Sequence, residues 1–257
     1  MAFLRLYSKT FPFMKATTLL FTFLFFTNLA LAQFGITGRY HFNDAPNWAS
    51  FSATPTDRFN PEKYFGNGWS VGIDYWLRLK NYRMEFLPEL NYAQFEYNKQ
   101  TGYVNPAAFS NRFYSFFLNT NFYLFDFAGD CNCPTFSKQG QWLKKGFFVQ
   151  ASPGISYIQQ KVVFEKPVVE GKKTFESMAL AASIGIGTGL DIGISDFMTF
   201  TPMVSLRYYP NAKWKSLSRY SGPDIYAALS TESDIWQLSA GARLSFRFDY
   251  QSNRRRR

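Results

Sequence analysis

Eight long segments of this chain alternate apolar and polar residues with a period of two, and this pattern constrains the fold more than any other feature of the sequence. Successive side chains of a β-strand point to opposite faces, so the pattern predicts strands with one apolar face each. Most segments are about 10 residues or longer, whereas strands of soluble proteins average about 5–6 residues and a tilted membrane-crossing strand needs about 9–11. The predicted strands cover residues 34–42, 69–80, 82–92, 114–124, 147–157, 178–192, 198–208 and 236–250.

The connections between these segments mostly alternate between long and short. Outer-membrane barrels place long loops outside the cell and short turns in the periplasm, with both chain termini periplasmic. The link at residues 128–145 is an exception, because it is long where a short periplasmic turn is expected. The long loops are predicted at residues 44–68, 98–110, 160–174 and 211–233, and the short turns at 80–81 and 195–196.

The composition of the two faces distinguishes a membrane barrel from a soluble one. A lipocalin is also an eight-stranded up-and-down barrel, but its apolar face points inward. Here the apolar set is rich in the chain's 30 Phe and 16 Tyr residues, which are too bulky for so narrow a lumen, whereas the opposite set is Gly, Ser, Asn and charged residues. We therefore predict an all-β, eight-stranded, antiparallel, up-and-down transmembrane β-barrel. Its lumen is expected to hold a charge network of Asp74, Arg78, Arg83, Glu85, Glu89, Arg207, Arg243, Arg247 and Asp249.

Aromatic residues near the predicted strand ends fit the two girdles that such barrels place at the membrane interfaces. The alternative is an ordinary aromatic core in a soluble barrel. The candidates for the girdles are Tyr40, Phe42, Trp69, Tyr92, Tyr157, Tyr208 and Tyr250.

The first 32 residues are predicted to be a secretory signal peptide. Basic residues precede an apolar stretch at 19–31, which ends in the small-x-small pattern Ala30-Leu31-Ala32 ahead of Gln33. An uncleaved membrane anchor is the alternative. The expected organisation is a signal peptide at 1–32, a barrel at 33–250 and a basic tail at 251–257.

The last strand resembles that of the OmpA/OmpX-type small outer-membrane β-barrels. In that family the alternating apolar residues of this strand and its aromatic end are the signal for the barrel-assembly machinery, and Leu244, Phe246, Phe248 and Tyr250 match it. The resemblance covers residues 33–250 and implies an outer-membrane location, with membrane lipid and the assembly machinery as partners. The tail at 251–257 departs from it, because such barrels often end at the aromatic residue. Arg254–Arg257 would bind headgroups or an acidic partner, or remain solvated.

Cys131 and Cys133 lie in the long periplasmic link and are the candidates for a disulfide in an oxidising compartment. A redox or metal role and free thiols remain alternatives, although two thiols alone are too few ligands for zinc. The surrounding link is the best candidate for contact with a periplasmic partner, or for a basic, aromatic turn that lies against lipid headgroups.

His41 is the only histidine, and Asp44 with Ser50 or Ser52 follows it closely. Barrel enzymes that process lipids use such groups near the outer rim, but no Gly-x-Ser-x-Gly motif supports this hypothesis. A structural histidine in the lumen is the alternative. No cofactor or metal site is expected, and export excludes nucleic acid as a partner.

Three functions remain open at the level of sequence. The first is a non-enzymatic envelope protein whose loops or periplasmic link bind a partner, as in a secretion or assembly complex. The second is a narrow channel or lateral conduit for small apolar molecules, and the third is a lipid-modifying enzyme. The apolar side chains of the first loop favour the first function, because exposing them to water would be costly: Trp48, Phe51, Phe59, Tyr64 and Phe65.

Overall fold

The structure is a computed structural model. It describes residues 33–50, 62–63, 65–79, 83–99, 107–126, 146–165, 167, 171–195, 197–215 and 231–247. The predicted signal peptide, the cysteine pair and the basic tail lie outside these residues.

Eight long strands form one closed antiparallel barrel. Each strand pairs with the next along the chain, and the first pairs with the last from Gln33↔Arg247 to Asp44↔Trp236. This confirms the predicted up-and-down topology. The strands are β1 (Gln33–Asp44), β2 (Gly68–Tyr75), β3 (Met84–Lys99), β4 (Ala107–Phe122), β5 (Phe147–Phe164), β6 (Thr174–Leu190), β7 (Met198–Lys213) and β8 (Glu232–Arg247). Leu77–Arg78 and Ile192–Gly193 continue β2 and β6.

Several strands are longer than the sequence pattern predicts. β3 and β4 extend to Lys99 and from Ala107, so much of the predicted loop at 98–110 is strand. In the first loop, Ala49–Ser50 pairs with Glu62–Lys63, and Pro46–Trp48 forms a short 3₁₀ turn. A second such turn covers Leu124–Asp126. None of the helices in the described part of the chain is long and apolar enough to span a membrane.

The outer surface of the barrel wall is apolar and the inner surface is polar. Ile73, Leu90 and Leu180 are 64%, 67% and 67% exposed, whereas the inward Ser70, Glu89 and Ser156 are buried. A surface of this kind is unfavourable in water and suits the hydrocarbon of a bilayer. The barrel is therefore transmembrane, with its apolar set outward as predicted.

The two faces exchange character towards the end of the barrel that carries the first loop, which we call the outer end. On β3 the inward residues change from Glu89 and Asn91 to Ala93 and Phe95, while the outward residue after Tyr92 is Gln94. On β5 the inward Ile158 and Val162 are buried, and Lys161 between them is exposed. The strands thus continue beyond the hydrocarbon as a small water-exposed barrel with an apolar core, which we call the outer rim.

An aromatic girdle marks the level of this exchange. Ring centroids lie 5.8 Å apart for Trp69 and Tyr92, 5.3 Å for Tyr92 and Tyr114, and 6.4 Å for Tyr114 and Tyr157. Tyr208 and Trp236 continue the outward aromatic set on β7 and β8, with their centroids 4.5 Å apart. Such residues prefer the interface between membrane and water. The interface at the outer end of the barrel therefore lies at this level.

Candidate functional site in the barrel lumen

The inner half of the lumen contains a fully buried ion pair between β8 and β2. Arg243 donates to both carboxylate oxygens of Asp74, from Nε at 2.8 Å and from an Nη at 2.5 Å. The pair lies across β1 at Gly35, where a Cβ atom would collide with both side chains. Glycine at this position therefore lets the two charged groups meet against the barrel wall.

A second ion pair lies at a different level of the lumen. The guanidinium of Arg39 donates to the two oxygens of Glu89 at 2.5 and 2.8 Å. Asn119 and Asn91 also donate to this carboxylate, at 2.6 and 3.0 Å. A buried carboxylate with several donors is well compensated for the loss of water.

Tyr123 organises a third polar cluster. Its hydroxyl contacts Glu85 at 2.6 Å and Asp191 at 2.5 Å, and the guanidinium of Arg83 lies 5.1 Å from its ring centroid. Thr201 donates to the other oxygen of Asp191 at 2.5 Å. The cluster therefore links β3, β4, β6 and β7 near the inner end.

The structure places the predicted lumen residues inside the barrel in separate clusters, where the sequence predicts a single network. Arg78 has no described side chain, and Asp249 lies outside the described residues. Arg39, Tyr123 and Asp191 were not among the residues of the predicted network. Arg39 was identifiable, because it shares the inward parity of Thr37 and His41. The predicted lumen residues that the structure places inside the barrel are Asp74, Arg83, Glu85, Glu89, Arg207, Arg243 and Arg247.

Arg207 differs from Arg39 and Arg243 in its partners. It donates to the carbonyl and hydroxyl of Ser152 at 3.1 and 2.5 Å and to the hydroxyl of Ser183 at 3.0 Å. Its guanidinium carbon lies 3.6 Å from the centroid of the Phe117 ring. Among the described residues no carboxylate forms an ion pair with it.

His41 points into the lumen and contacts Ser70, with 2.7 Å between Nε2 and Oγ. The sequence hypothesis pairs His41 with Asp44, but strand parity puts the two side chains on opposite faces of β1. His41 is only 5% exposed, and its Nδ1 has no hydrogen-bond partner in the described residues. In a Ser–His–Asp triad that nitrogen donates to the acid, so the geometry here lacks the group that orients the base.

The outer half of the lumen is filled by an aromatic cap. Trp48 of the first loop is fully buried, and its ring centroid lies 5.2 Å from that of Trp214 and 5.8 Å from that of Phe65. Phe65 in turn contacts Phe95 and Phe113. The expectation that Trp48 and Phe65 form an exposed apolar surface on the first loop is therefore wrong, because both side chains are buried in the mouth of the barrel. Phe51, Phe59 and Tyr64 lie outside the described residues.

The remaining predicted residues are only partly placed. Leu244 is exposed on the outer face of β8, and the ring of Phe246 lies 5.5 Å from that of Phe34 across the strand junction. Phe248, Tyr250, Cys131 and Cys133 lie outside the described residues. Within the described ranges, no group of three or more His, Cys, Asp or Glu side chains could hold a metal ion.

No protein-family model and no curated protein matches the chain. Solved structures with a similar arrangement include Neisserial surface protein A, with 9% identity, coverage of 84% of this chain and 96% of that chain, and a TM-score of 0.42. Ail, the attachment invasion locus protein of Yersinia pestis, has 12% identity, 82% and 97% coverage and a TM-score of 0.36. The outer membrane protease OmpT of Escherichia coli has 8% identity, 84% and 96% coverage and a TM-score of 0.38.

These values are low, so the assignment of the architecture depends on the barrel itself. Eight antiparallel strands close through β1 and β8, the wall is apolar outside, and the lumen is filled with ion pairs and aromatic rings. An eight-stranded barrel has an interior just wide enough for side chains to fill. On these grounds the chain has the fold of a small OmpA/OmpX-type outer-membrane β-barrel.

Proposed function

We propose that this protein is a non-enzymatic, non-conducting barrel of the outer membrane, which binds an envelope partner through its outer rim and loops. The observation that carries the proposal is that side chains fill the described lumen apart from a small cavity at its middle. Ion pairs fill the inner half and the aromatic cap fills the outer half, so the interior serves stability and not transport.

The outer rim supports a binding role because its strands extend beyond the length that is needed to cross a membrane. β3, β4 and β5 have 16, 16 and 18 residues, and about 9–11 suffice to cross a bilayer. The outward face of the rim is charged and open to water. Lys161 and Glu176 form an exposed pair at 3.0 Å, and Lys213 and Glu232 another at 3.1 Å. A rim built of paired strands presents the loops and its own surface to a partner at a lower entropic cost than loops alone would.

Photocrosslinking in cells tests the partner. A photoreactive residue at Glu176, on the outer rim, should give a discrete crosslinked protein. The same residue at Ile184, which faces lipid on the same strand, is the matched control and should not. Equal crosslinking at the two positions, or none at positions all around the rim and loops, would contradict the binding role.

Planar-bilayer recording tests the absence of conduction. The purified barrel should give no resolved current steps, because ion pairs and packed aromatic rings occupy the described lumen. Ohmic steps in the wild-type protein would contradict the proposal. Steps that appear only after Trp48→Ala and Trp214→Ala would show that the cap seals the barrel.

A conduit for small apolar molecules is the second candidate, and one feature of the wall favours it. The ladder between β6 and β7 covers six residue pairs, from Tyr208↔Ile184 to Met203↔Gly189, and Ile192–Gly193 adds two more at the inner end. Beyond Ile184 the outer half of β6 has no ladder partner on β7, and Gln160 of β5 instead donates to the carbonyl of Lys213 at 3.0 Å. Uptake of an apolar dye by liposomes containing the barrel, at a rate above that of empty liposomes, would favour this function.

A lipid-modifying activity is the candidate that the geometry supports least. We expect the lipid profile of cells that carry His41→Ala to match that of the wild type. Ser70→Ala is the companion variant, because Ser70 holds the imidazole. Loss of a lipid-cleaving activity in both variants would overturn this assignment.

A further inference from the structure

A small, partly open cavity lies in the middle of the lumen, between the aromatic cap and the inner ion pairs. Its polar lining includes Arg39, His41, Ser205, Arg207 and Ser239. The centre of a water-sized sphere can move through about 10 Å³ of it, which leaves room for one atom or ion a little larger than water. The chemistry of its lining determines what fits there.

The charges inside the described lumen do not balance. Four carboxylates lie there, on Asp74, Glu85, Glu89 and Asp191, against five guanidinium groups, and arginine cannot lose its proton in a protein. The guanidinium groups belong to Arg39, Arg83, Arg207, Arg243 and Arg247.

Arg207 is the arginine at the cavity that lacks a counter-ion. Its hydrogen bonds go to serine oxygens, whereas Arg39 beside it is paired with Glu89. The side chain of Arg207 points inward from β7 and forms part of the cavity lining. A buried charge without an opposite charge is strongly unfavourable, so this site favours an anion.

His41 supplies a second group without a partner. Ser70 accepts a hydrogen bond from Asn91 at 3.4 Å and contacts Nε2 of His41 at 2.7 Å, and it has no other partner in the described structure. The serine hydroxyl proton therefore has Nε2 as its acceptor. The neutral imidazole then carries its own proton on Nδ1, which is buried and has no acceptor among the residues that the structure describes.

We propose that this cavity binds a small monovalent anion of the chloride class, which neutralises Arg207 and accepts a hydrogen bond from Nδ1 of His41. The size of the cavity restricts the ligand to a single atom or a group of similar size. The anion completes the polar layer on which the aromatic cap rests. The inference is independent of the partner that the outer rim binds.

Thermal unfolding of the purified, folded barrel tests this site. The midpoint temperature should rise in a saturable way in chloride or bromide relative to gluconate at equal ionic strength, by about 5–10 °C at a concentration ~100-fold above Kd. Arg207→Gln should abolish the difference between the anions. Arg112→Gln removes an exposed arginine from the outer face of β4 and should leave the difference unchanged.

Equal midpoints for the wild type in chloride and gluconate would overturn the proposal and mean that the cavity holds only water. An anion effect that survives Arg207→Gln would equally contradict it. Anomalous scattering from wild-type crystals grown in bromide gives a check that does not require the variant to fold. A bromide peak in the cavity beside Arg207 is expected, and an empty cavity in such crystals would refute the site.

Discussion

At the scale of single residues, Gly35 and Gly38 of β1 have opposite environments. Gly35 faces the lumen beneath the Arg243–Asp74 pair, where a Cβ atom would collide with both side chains. Gly38 faces outward and has no heavy atom within 4 Å of the position that a Cβ would take. The two residues lie on one strand and differ only in face, so they form a matched pair.

We predict that Gly35→Ala destabilises the barrel and that Gly38→Ala does not. The added methyl group of Gly35→Ala would push the buried ion pair apart, at a cost of about 1–3 kcal/mol. The free energy of unfolding in urea, measured on protein folded into lipid vesicles, would give the difference. Equal values for the two variants would show that the ion pair does not press on β1.

The Arg243–Asp74 pair yields a second prediction. Asp74→Ala leaves a buried guanidinium without its partner and should cost about 3–5 kcal/mol of unfolding free energy. The double variant Asp74→Leu with Arg243→Met removes both charges and should recover much of that loss. Lys161→Ala, which breaks an exposed pair with Glu176, is the control and should cost only about 0–1 kcal/mol. If the buried and exposed pairs contribute alike, the assigned burial of Asp74 is wrong.

Sequence parity placed these residues on the correct face but did not pair them. Asp74 and Arg243 are 169 positions apart, and only the closure of the barrel brings them together. The same limit applies to Arg207, which the sequence placed in a charge network and the structure places against Phe117 and serine oxygens. Parity is a local property of one strand, whereas the choice of partner depends on the stagger of all eight.

At the scale of the strand, the main feature is the exchange of faces at the aromatic girdle. Below Tyr92, β3 is apolar outside and, apart from Leu87, polar inside, and above it Gln94 and Glu96 face out while Phe95 faces in. The alternation of apolar and polar residues continues without a break, but the apolar residues change from the outer face to the inner face. The predicted strands cover only the part with apolar residues outward, so they stop short at the outer end of the barrel, where loops were predicted instead.

This reversal predicts how charge is tolerated along one strand. Leu90→Arg introduces a cation into the hydrocarbon region and should cost about 2–4 kcal/mol, whereas Gln94→Arg lies beyond the girdle and should cost about 0–1 kcal/mol. Urea unfolding in vesicles measures both variants. Similar costs at the two positions would mean that the membrane boundary does not lie at Tyr92.

At the scale of the whole molecule, the two halves of the lumen are filled by different kinds of side chain. The inner half is filled by ion pairs and faces lipid on its outside, and the outer half is filled by the aromatic cap and faces water. The cap joins Trp48 of the first loop to Trp214, which follows the end of β7. Both rings are fully buried in the outer half of the lumen.

The sequence was sufficient to predict the barrel wall but not the aromatic cap. Strand number, antiparallel order, closure and the apolar outer face all follow from period-two alternation and from the alternation of loop lengths. The burial of Trp48 and Phe65 does not follow, because an apolar residue in a loop fits both an exposed binding surface and a plug. Only the position of the loop over the barrel mouth decides between them.

The most direct test of the account is the depth of outward-facing residues in the membrane. Nitroxide labels at Leu90, Tyr92, Gln94 and Glu96, one position at a time, can be compared for collision with oxygen, which concentrates in hydrocarbon, and with a polar nickel complex in water. The account predicts oxygen access at Leu90, a change at Tyr92 and access by the nickel complex at Gln94 and Glu96. Nickel access at all four positions would contradict the central claim that this barrel spans a membrane up to its aromatic girdle.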